Sequence, residues 1–327
     1  MRCLTLARAL ADEGWHCGFA RRRDTLAQMS FPEVAEFDFL ALDAGDDGHD
    51  ALRRRWPGGA DILVVDHYDL DADFERGCRD WAGRILVIDD LANRPHDADI
   101  LLDQTCGRLT QDYGGLVSVH CRLLLGADYA LLRPEFAARR DQALARRRSA
   151  PPARRVMVAV GSSDPMNYTA VALDAAVHSG LDVGVDVILG SSAPHLTQVR
   201  KLCEELPLAV RVHVDVSAEE LSILMDQADI AVGAGGIASW ERCCLGLPSL
   251  VVLTAENQRL VVANLARAGA IEFLGDAPAV DAGSLAETLR NIAHDGEARC
   301  DMGRKAAEVC DGRGAERVIR ALAAEDG

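Results

Sequence analysis

The chain has 327 residues, 49% of them hydrophobic, and a formal net charge of −16 at pH 7. That length suits two domains with separate cores, and that apolar fraction excludes a disordered chain. The acidity argues against a general nucleic-acid-binding surface. No run of about 18 apolar residues suggests a membrane span. The first residues follow neither a secretory nor a transit pattern, so a cytoplasmic location is expected. The ten cysteines are scattered and include no Cys-x-x-Cys pair, which argues against a zinc site. They are expected to be buried or unreactive thiols in a reducing cytoplasm. Neither a metal nor a cofactor is expected.

Leu4, Leu6, Ala7, Leu10 and Ala11 fall at helical spacing and predict a helix over 2–13. Strand-like runs follow at Cys17–Ala20, Ile62–Asp66, Ile85–Asp89 and Asp99–Leu102, with helical segments around 48–55 and 71–82. Short apolar strands alternating with helices predict a parallel sheet covered on both faces. Residues 137–154 are arginine-rich and then proline-rich, with no apolar face, and read as an interdomain linker. A second alternation follows. Strands are predicted at 156–160, 183–189, 210–214, 229–232 and 249–253. Helices are predicted at 168–178, 194–204, 218–227 and 257–268, with two or three more at the C-terminus. The expected fold class is α/β. An N-terminal Rossmann-like domain over 1–136 and a C-terminal one over 155–327 face each other across a cleft, with a ligand near the carboxyl ends of the strands.

The run Gly233-Ala-Gly-Gly-Ile-Ala-Ser-Trp-Glu-Arg-Cys-Cys-Leu-Gly-Leu-Pro248 is the most informative segment. It places a glycine-rich turn between a strand and a helix. Such a turn turns backbone N–H groups outward, with a helix dipole behind them, and suits a phosphate or diphosphate. Gly235 and Gly236 are the candidate phosphate contacts, Ser239 is a candidate substrate contact, and Glu241 is placed to accept from a ribose diol. Asn257 and Gln258 open the helix after strand 249–253, either as caps or as ligand contacts. In Gly161-Ser-Ser-Asp164-Pro165, Asp164 caps the next helix or meets a sugar hydroxyl. Asp66-His67-Tyr68 ends a predicted strand, where both a structural and a ligand role are open. Asp89 and Asp90 are adjacent on a strand, so they point to opposite faces and do not form a dyad.

Several of these segments resemble one family when taken together. They are Asp66-His67-Tyr68, Ile88 to His96, Leu102-Asp103-Gln104, Gly126 to Phe136, Ser163 to Asn167, and Gly235-Gly236 through Pro248. The chain from Met1 to about residue 275 is similar to the UDP-2,4-diacetamido-2,4,6-trideoxy-β-L-altropyranose hydrolases of bacterial pseudaminic acid synthesis. The resemblance implies a B-type glycosyltransferase fold and hydrolysis of a UDP-sugar with inversion at the anomeric carbon. It also implies a place in the supply of sugar for flagellin glycosylation. It implies that Glu241 binds ribose and that Asn257 acts at the reacting centre, near diphosphate and sugar. The family's histidine base belongs to a Gly-x-Gly-His loop just before the helix that Met1 opens here, so base and preceding strand are expected upstream of this numbering. The family carries Gly-Gly-Ser-Asp-Pro where this chain has Gly161-Ser162-Ser163-Asp164-Pro165. It carries a hydroxyl pair where this chain has Ile237-Ala238. Two rival expectations are a transferase of the same fold and a protein that binds UDP-sugar without turning it over. No nucleic-acid or membrane partner is expected, and the sequence carries no signal for oligomeric state.

Overall fold

A computed structural model describes residues 1–23, 36–43 and 48–324. The chain divides into two compact units, Met1–Leu131 with Gly314–Gly327, and Leu132–Arg313.

In the first unit, β1 (Gly18–Arg22) and β2 (Asp38–Leu42) pair as a parallel ribbon. β3 (Ala60–Val65), β4 (Ala82–Ile88), β5 (Ile100–Asp103) and β6 (Arg122–Leu125) form a parallel sheet in that order. Side-chain alternation along β4 sorts the core into two layers. Leu86 and Ile88 pack with Leu6, Leu10, Leu102, Leu124 and Val318, which brings the helices Arg2–Asp12 and Gly314–Ala323 onto one face. Ile85 and Val87 pack with Leu52 and Cys78, from the helices Gly48–Arg55 and Ala72–Cys78, on the other. A strand buried on both faces has to be continuously apolar, which is why β4 was legible as a run.

The second unit carries β7 (Arg155–Ala159), β8 (Gly184–Leu189), β9 (Val210–Val214), β10 (Ile230–Ala234), β11 (Ser249–Leu253) and β12 (Glu272–Asp276). All pairings are parallel, in the order β12-β11-β10-β7-β8-β9. Val156, Val158, Val185, Val187, Val232 and Leu250 share one layer with the helices Tyr168–His178 and Ala282–His294. Chain order runs outward from β7 in one direction and from β10 in the other. The boundary between these two strands is therefore a topological switch point, where a crevice opens at the strand carboxyl ends.

Two expectations are corrected here. Residues 137–148 are not a linker: Pro134–Arg148 is a helix packed against the helices Ala218–Gln227, Ala238–Cys244 and Gly296–Val309. Its buried face is built from Phe136, Ala143 and the stem of Arg147, so no apolar stripe shows in the sequence. Arg147 donates to the carbonyls of Met225, Asp226 and Ala228 at 2.6, 3.3 and 3.1 Å, and Arg140 to those of Cys244, Cys310 and Ala307 at 2.6, 2.8 and 2.7 Å. The second correction concerns the C-terminus. Gly314–Ala323 belongs to the first unit, where Arg317 donates to the Asp128 carbonyl at 2.8 Å. A Cβ on Gly314 would lie 2.2 Å from the Ala130 carbonyl oxygen, so only glycine fits that contact.

The packed helix has a measurable consequence. Arg147→Met keeps the stem and removes the donors to three helix-end carbonyls. It should lower the stability of the full chain by about 1–3 kcal/mol in urea denaturation. A solvated linker arginine would change it by less than about 0.5 kcal/mol.

Candidate functional site

The switch point of the second unit brings together residues that the sequence scatters. β10 ends in the turn Gly235-Gly236, and the neighbouring β11 leads to the single turn Glu256–Gln258. Gln258 lies over the glycine pair. A Cβ on Gly235 would come 3.3 Å from the Gln258 Cβ and 2.2 Å from the Val262 Cγ2, while one on Gly236 would meet only the Gln258 Nε2, at 3.7 Å. Thr254 holds Gln258 from below, its hydroxyl donating to Oε1 at 3.2 Å. Asn257 is exposed in the same turn. Gly235, Gly236, Asn257 and Gln258 thus occupy one neighbourhood, at the end of the sheet where parallel strands present ligand-binding turns.

Glu241, one turn into the helix Ala238–Cys244, is buried and receives Arg133 Nη2 on Oε1 at 2.9 Å. Burial pushes its carboxyl above the usual range, against the pull of Arg133. Arg133 also lies over the Phe136 ring, 5.3 Å from its centre, which fixes the guanidinium. Ser239 lies inside the fold. Its hydroxyl is buried within the fold, 3.5 Å from the Ala234 carbonyl oxygen and 3.1 Å from Arg242 Nη2, so it braces the turn from inside. Asp164 fills the capping alternative. It is buried, and its two carboxylate oxygens accept from the Tyr168 and Thr169 N–H groups at 2.9 and 2.8 Å. Its φ of 34° is a conformation rarely adopted outside glycine, asparagine and aspartate, and the two cap bonds hold it there.

The first unit has its own polar cluster at the carboxyl ends of β3 and β4. Arg2 forks onto Asp66, Nη2 to Oδ1 at 2.6 Å and Nε to Oδ2 at 3.1 Å, and its Nη1 reaches Asp90 Oδ2 at 3.0 Å. The Tyr68 hydroxyl donates to the same Asp90 oxygen at 3.3 Å, although nearly half of Tyr68 is exposed. Burial opposes ionisation of Asp66, but the Arg2 fork outweighs it and holds the carboxyl below its ordinary value. Asp90 Oδ1 is buried with no hydrogen-bond partner among the described residues. The structure therefore joins Asp66 and Tyr68, as singled out from the sequence, through Arg2 and Asp90, which sequence reasoning missed. Arg2 lies 64 residues from Asp66 and 88 from Asp90, so only the fold reveals the link. Asp89 turns the other way from Asp90, into a buried network with Arg94 and Tyr113.

Among the described residues, no group of three or more His, Cys, Asp or Glu side chains is arranged to hold a metal ion. Nor is any helix among them long and apolar enough to cross a membrane.

No family model matches the chain. It is 32% identical over 209 residues to the spore coat polysaccharide biosynthesis protein SpsG of Bacillus subtilis, covering 63% of this chain and 59% of that protein. It is 22% identical over 229 residues to the uncharacterized protein MJ1062 of Methanocaldococcus jannaschii, covering 69% of this chain and 47% of that one. The chain thus spans about half to three fifths of the length of these two relatives. It is also 26% identical over 211 residues to the UDP-2,4-diacetamido-2,4,6-trideoxy-β-L-altropyranose hydrolase of Campylobacter jejuni, with 64% of this chain and 72% of that protein covered. Among solved structures, Acinetobacter baumannii MurG superposes with a TM-score of 0.69 at 11% identity, covering 98% of this chain and 95% of that one. The spinosyn rhamnosyltransferase SpnG superposes with a TM-score of 0.62 at 16% identity, covering 99% and 96%. These structures show the fold: two Rossmann-like α/β units of the B-type glycosyltransferase class.

Proposed function

We propose that this chain processes a UDP-linked sugar and that the reaction is hydrolysis, releasing UDP and an inverted free sugar. The observation that carries the reading is the placement of Gln258 over Gly235 and Gly236 at the sheet's switch point, with buried Glu241 one turn further on. One relative is named as a hydrolase of a UDP-diacetamido-trideoxy sugar, which supports hydrolysis, and another as a polysaccharide biosynthesis protein, which supports sugar processing only in general.

In the proposed reaction, a water oxygen attacks the anomeric carbon while the bond to the β-phosphate oxygen breaks. The electron pair leaves with UDP, and the water proton passes to a base. Backbone N–H groups at Gly235 and Gly236 are placed to stabilise charge that builds on the leaving diphosphate. Glu241, oriented by Arg133, is the proposed ribose acceptor, and Asn257 and Gln258 the proposed contacts to phosphate and sugar. In the first unit, Asp66 and Tyr68 are the proposed sugar contacts, with Arg2 and Asp90 positioning them. Asp164 then acts by shaping the 161–167 turn as a cap.

The test is UDP release from a UDP-diacetamido-trideoxyhexose, followed with and without candidate acceptors. Hydrolysis predicts free sugar and UDP in equal amounts, with a UDP yield that acceptors do not change. Labelled sugar appearing on an acceptor would establish transfer instead. Tight UDP binding without release would leave the chain a nucleotide-sugar-binding protein. Glu241→Ala should raise the Kd for uridine and UDP alike, by about tenfold or more, because a ribose contact is common to both.

A further inference from the structure

Arg242 is fully buried directly behind the glycine turn. Its Nη2 donates to the Ala234 carbonyl at 2.8 Å and to the Ser239 hydroxyl at 3.1 Å. Its Nε and Nη1 have no hydrogen-bond partner among the described residues. Nη1 lies against β10, where a Cβ on Gly233 would fall 2.8 Å from it and 2.9 Å from the Ala159 carbonyl oxygen of β7. The guanidinium therefore occupies the boundary between β7 and β10, the two strands whose carboxyl ends flank the switch point. No carboxylate among the described residues pairs with it. The adjacent Glu241 is committed to Arg133, 2.9 Å away.

A buried guanidinium with two unsatisfied nitrogens and no carboxylate bonded to it is costly, and a methionine of similar length would fill the same space without that penalty. Natural sequences keep such a local conflict chiefly where function requires it. We propose that Arg242 is the built-in counter-charge for a diphosphate bound at the 233–236 turn. The proposal rests on the nucleotide-sugar reading and deepens it. Arg242 acts as a positioning and charge-supplying residue: it fixes the Ala234 carbonyl and the Ser239 hydroxyl with one nitrogen and offers its remaining positive charge to the anion across the turn. Arg133 is the bonded partner of Glu241, so the Arg242 guanidinium has no carboxylate bonded to it.

The experiment uses the full chain as wild type, Arg242→Met and Arg242→Lys, with UDP, uridine and inorganic pyrophosphate as probes, by calorimetry and ligand-observed NMR. Arg242→Met should weaken UDP and pyrophosphate at least about tenfold and leave uridine within about twofold, while Arg242→Lys keeps most of the affinity. The salt dependence of UDP binding should also flatten in Arg242→Met. Without ligand, Arg242→Met should unfold at the wild-type temperature or above it. Equal losses for uridine and UDP would reduce Arg242 to a structural role, and UDP affinity unchanged in Arg242→Met would overturn the proposal outright. If wild type binds pyrophosphate in an Arg242-dependent way but neither UDP nor uridine, the counter-charge stands and the nucleotide reading falls. If wild type binds none of the three, both fall. Should Arg242→Met fail to fold, Arg242→Gln carries the same comparison.

Discussion

Gly236→Ala should lower the affinity for UDP by about tenfold or more while leaving the unfolding midpoint unchanged or slightly raised. The two neighbouring glycines are held for different reasons. At Gly235 a methyl group would lie 2.2 Å from the Val262 Cγ2, well inside contact distance, so the helix Arg259–Arg267 would have to shift. Gly235→Ala should therefore cost about 1–3 kcal/mol of stability, as overpacking does. At Gly236 the same methyl group would meet only the Gln258 Nε2, at an ordinary 3.7 Å, and the backbone there is not in the left-handed region. Nothing inside the protein requires glycine at 236. Close approach of a ligand to the backbone is the remaining physical reason for it. Parallel titrations of UDP and urea on the two variants separate these roles. UDP affinity in Gly236→Ala within twofold of wild type would remove the turn from the proposed diphosphate site.

This contrast also marks how much of the site could be read from the sequence. The glycine turn was legible because its neighbours obey simple local rules: an apolar strand before it, a helix after it, and a second buried strand at Ser249–Leu253. β3 and β4 were legible for the same reason. β12 is only partly covered and leaves no clear apolar run, so it was not foreseen, whereas the run Phe39–Leu42 in β2 was overlooked. Pro134–Arg148 was misread because its buried face is a single phenylalanine, an alanine and an arginine stem, Phe136, Ala143 and Arg147, rather than a stripe of leucines. The inward setting of the Ser239 hydroxyl was not legible, because helical position does not say whether a small hydroxyl faces solvent or strand. Arg242 was passed over because a guanidinium inside a helix reads as a solvated face, and only the fold shows it enclosed. Arg2 and Asp90 were invisible because their meeting depends on how β3, β4 and the first helix come together.

Tyr113→Phe should destabilise the first unit by about 2–4 kcal/mol, although it removes a single oxygen. The Tyr113 hydroxyl lies 2.9 Å from both Asp89 Oδ2 and Asp103 Oδ2, and all three residues are buried. Asp89 is further held by Arg94 at 2.7 Å and by the Ala92 N–H at 2.8 Å, and Asp103 by Arg108 and by the Thr105 N–H at 2.8 Å. A hydroxyl carries one proton, so it can donate to one carboxylate at a time. The other must hold a proton of its own or face an oxygen lone pair. Burial opposes ionisation of Asp89, but the bonds from Ala92 and Tyr113 and the charge of Arg94 outweigh it and hold that carboxyl below its ordinary value. At Asp103 burial dominates and pushes the carboxyl up. The lowered carboxyl of Asp89 makes it the better acceptor of the Tyr113 proton. The two acids then have opposite linkage. The contribution of Asp89 is present above its unfolded pKa, about 3.9, and is lost as pH falls through its lower folded value. That of Asp103 is present below the same unfolded value and is lost as pH rises through its higher folded one. Asp103→Asn removes the titrating group, so its stability relative to wild type should improve as pH rises above about 4. Urea denaturation at several pH values reads this difference directly. A relative stability that worsens over that interval would mean that the Arg108 pairing, not burial, governs Asp103. The network matters beyond stability because Ala92, at a φ of 50° in the loop that begins with Asp90, donates its N–H to Asp89. Loss of Tyr113 should therefore release the turn that presents Asp90 to Arg2 and Tyr68.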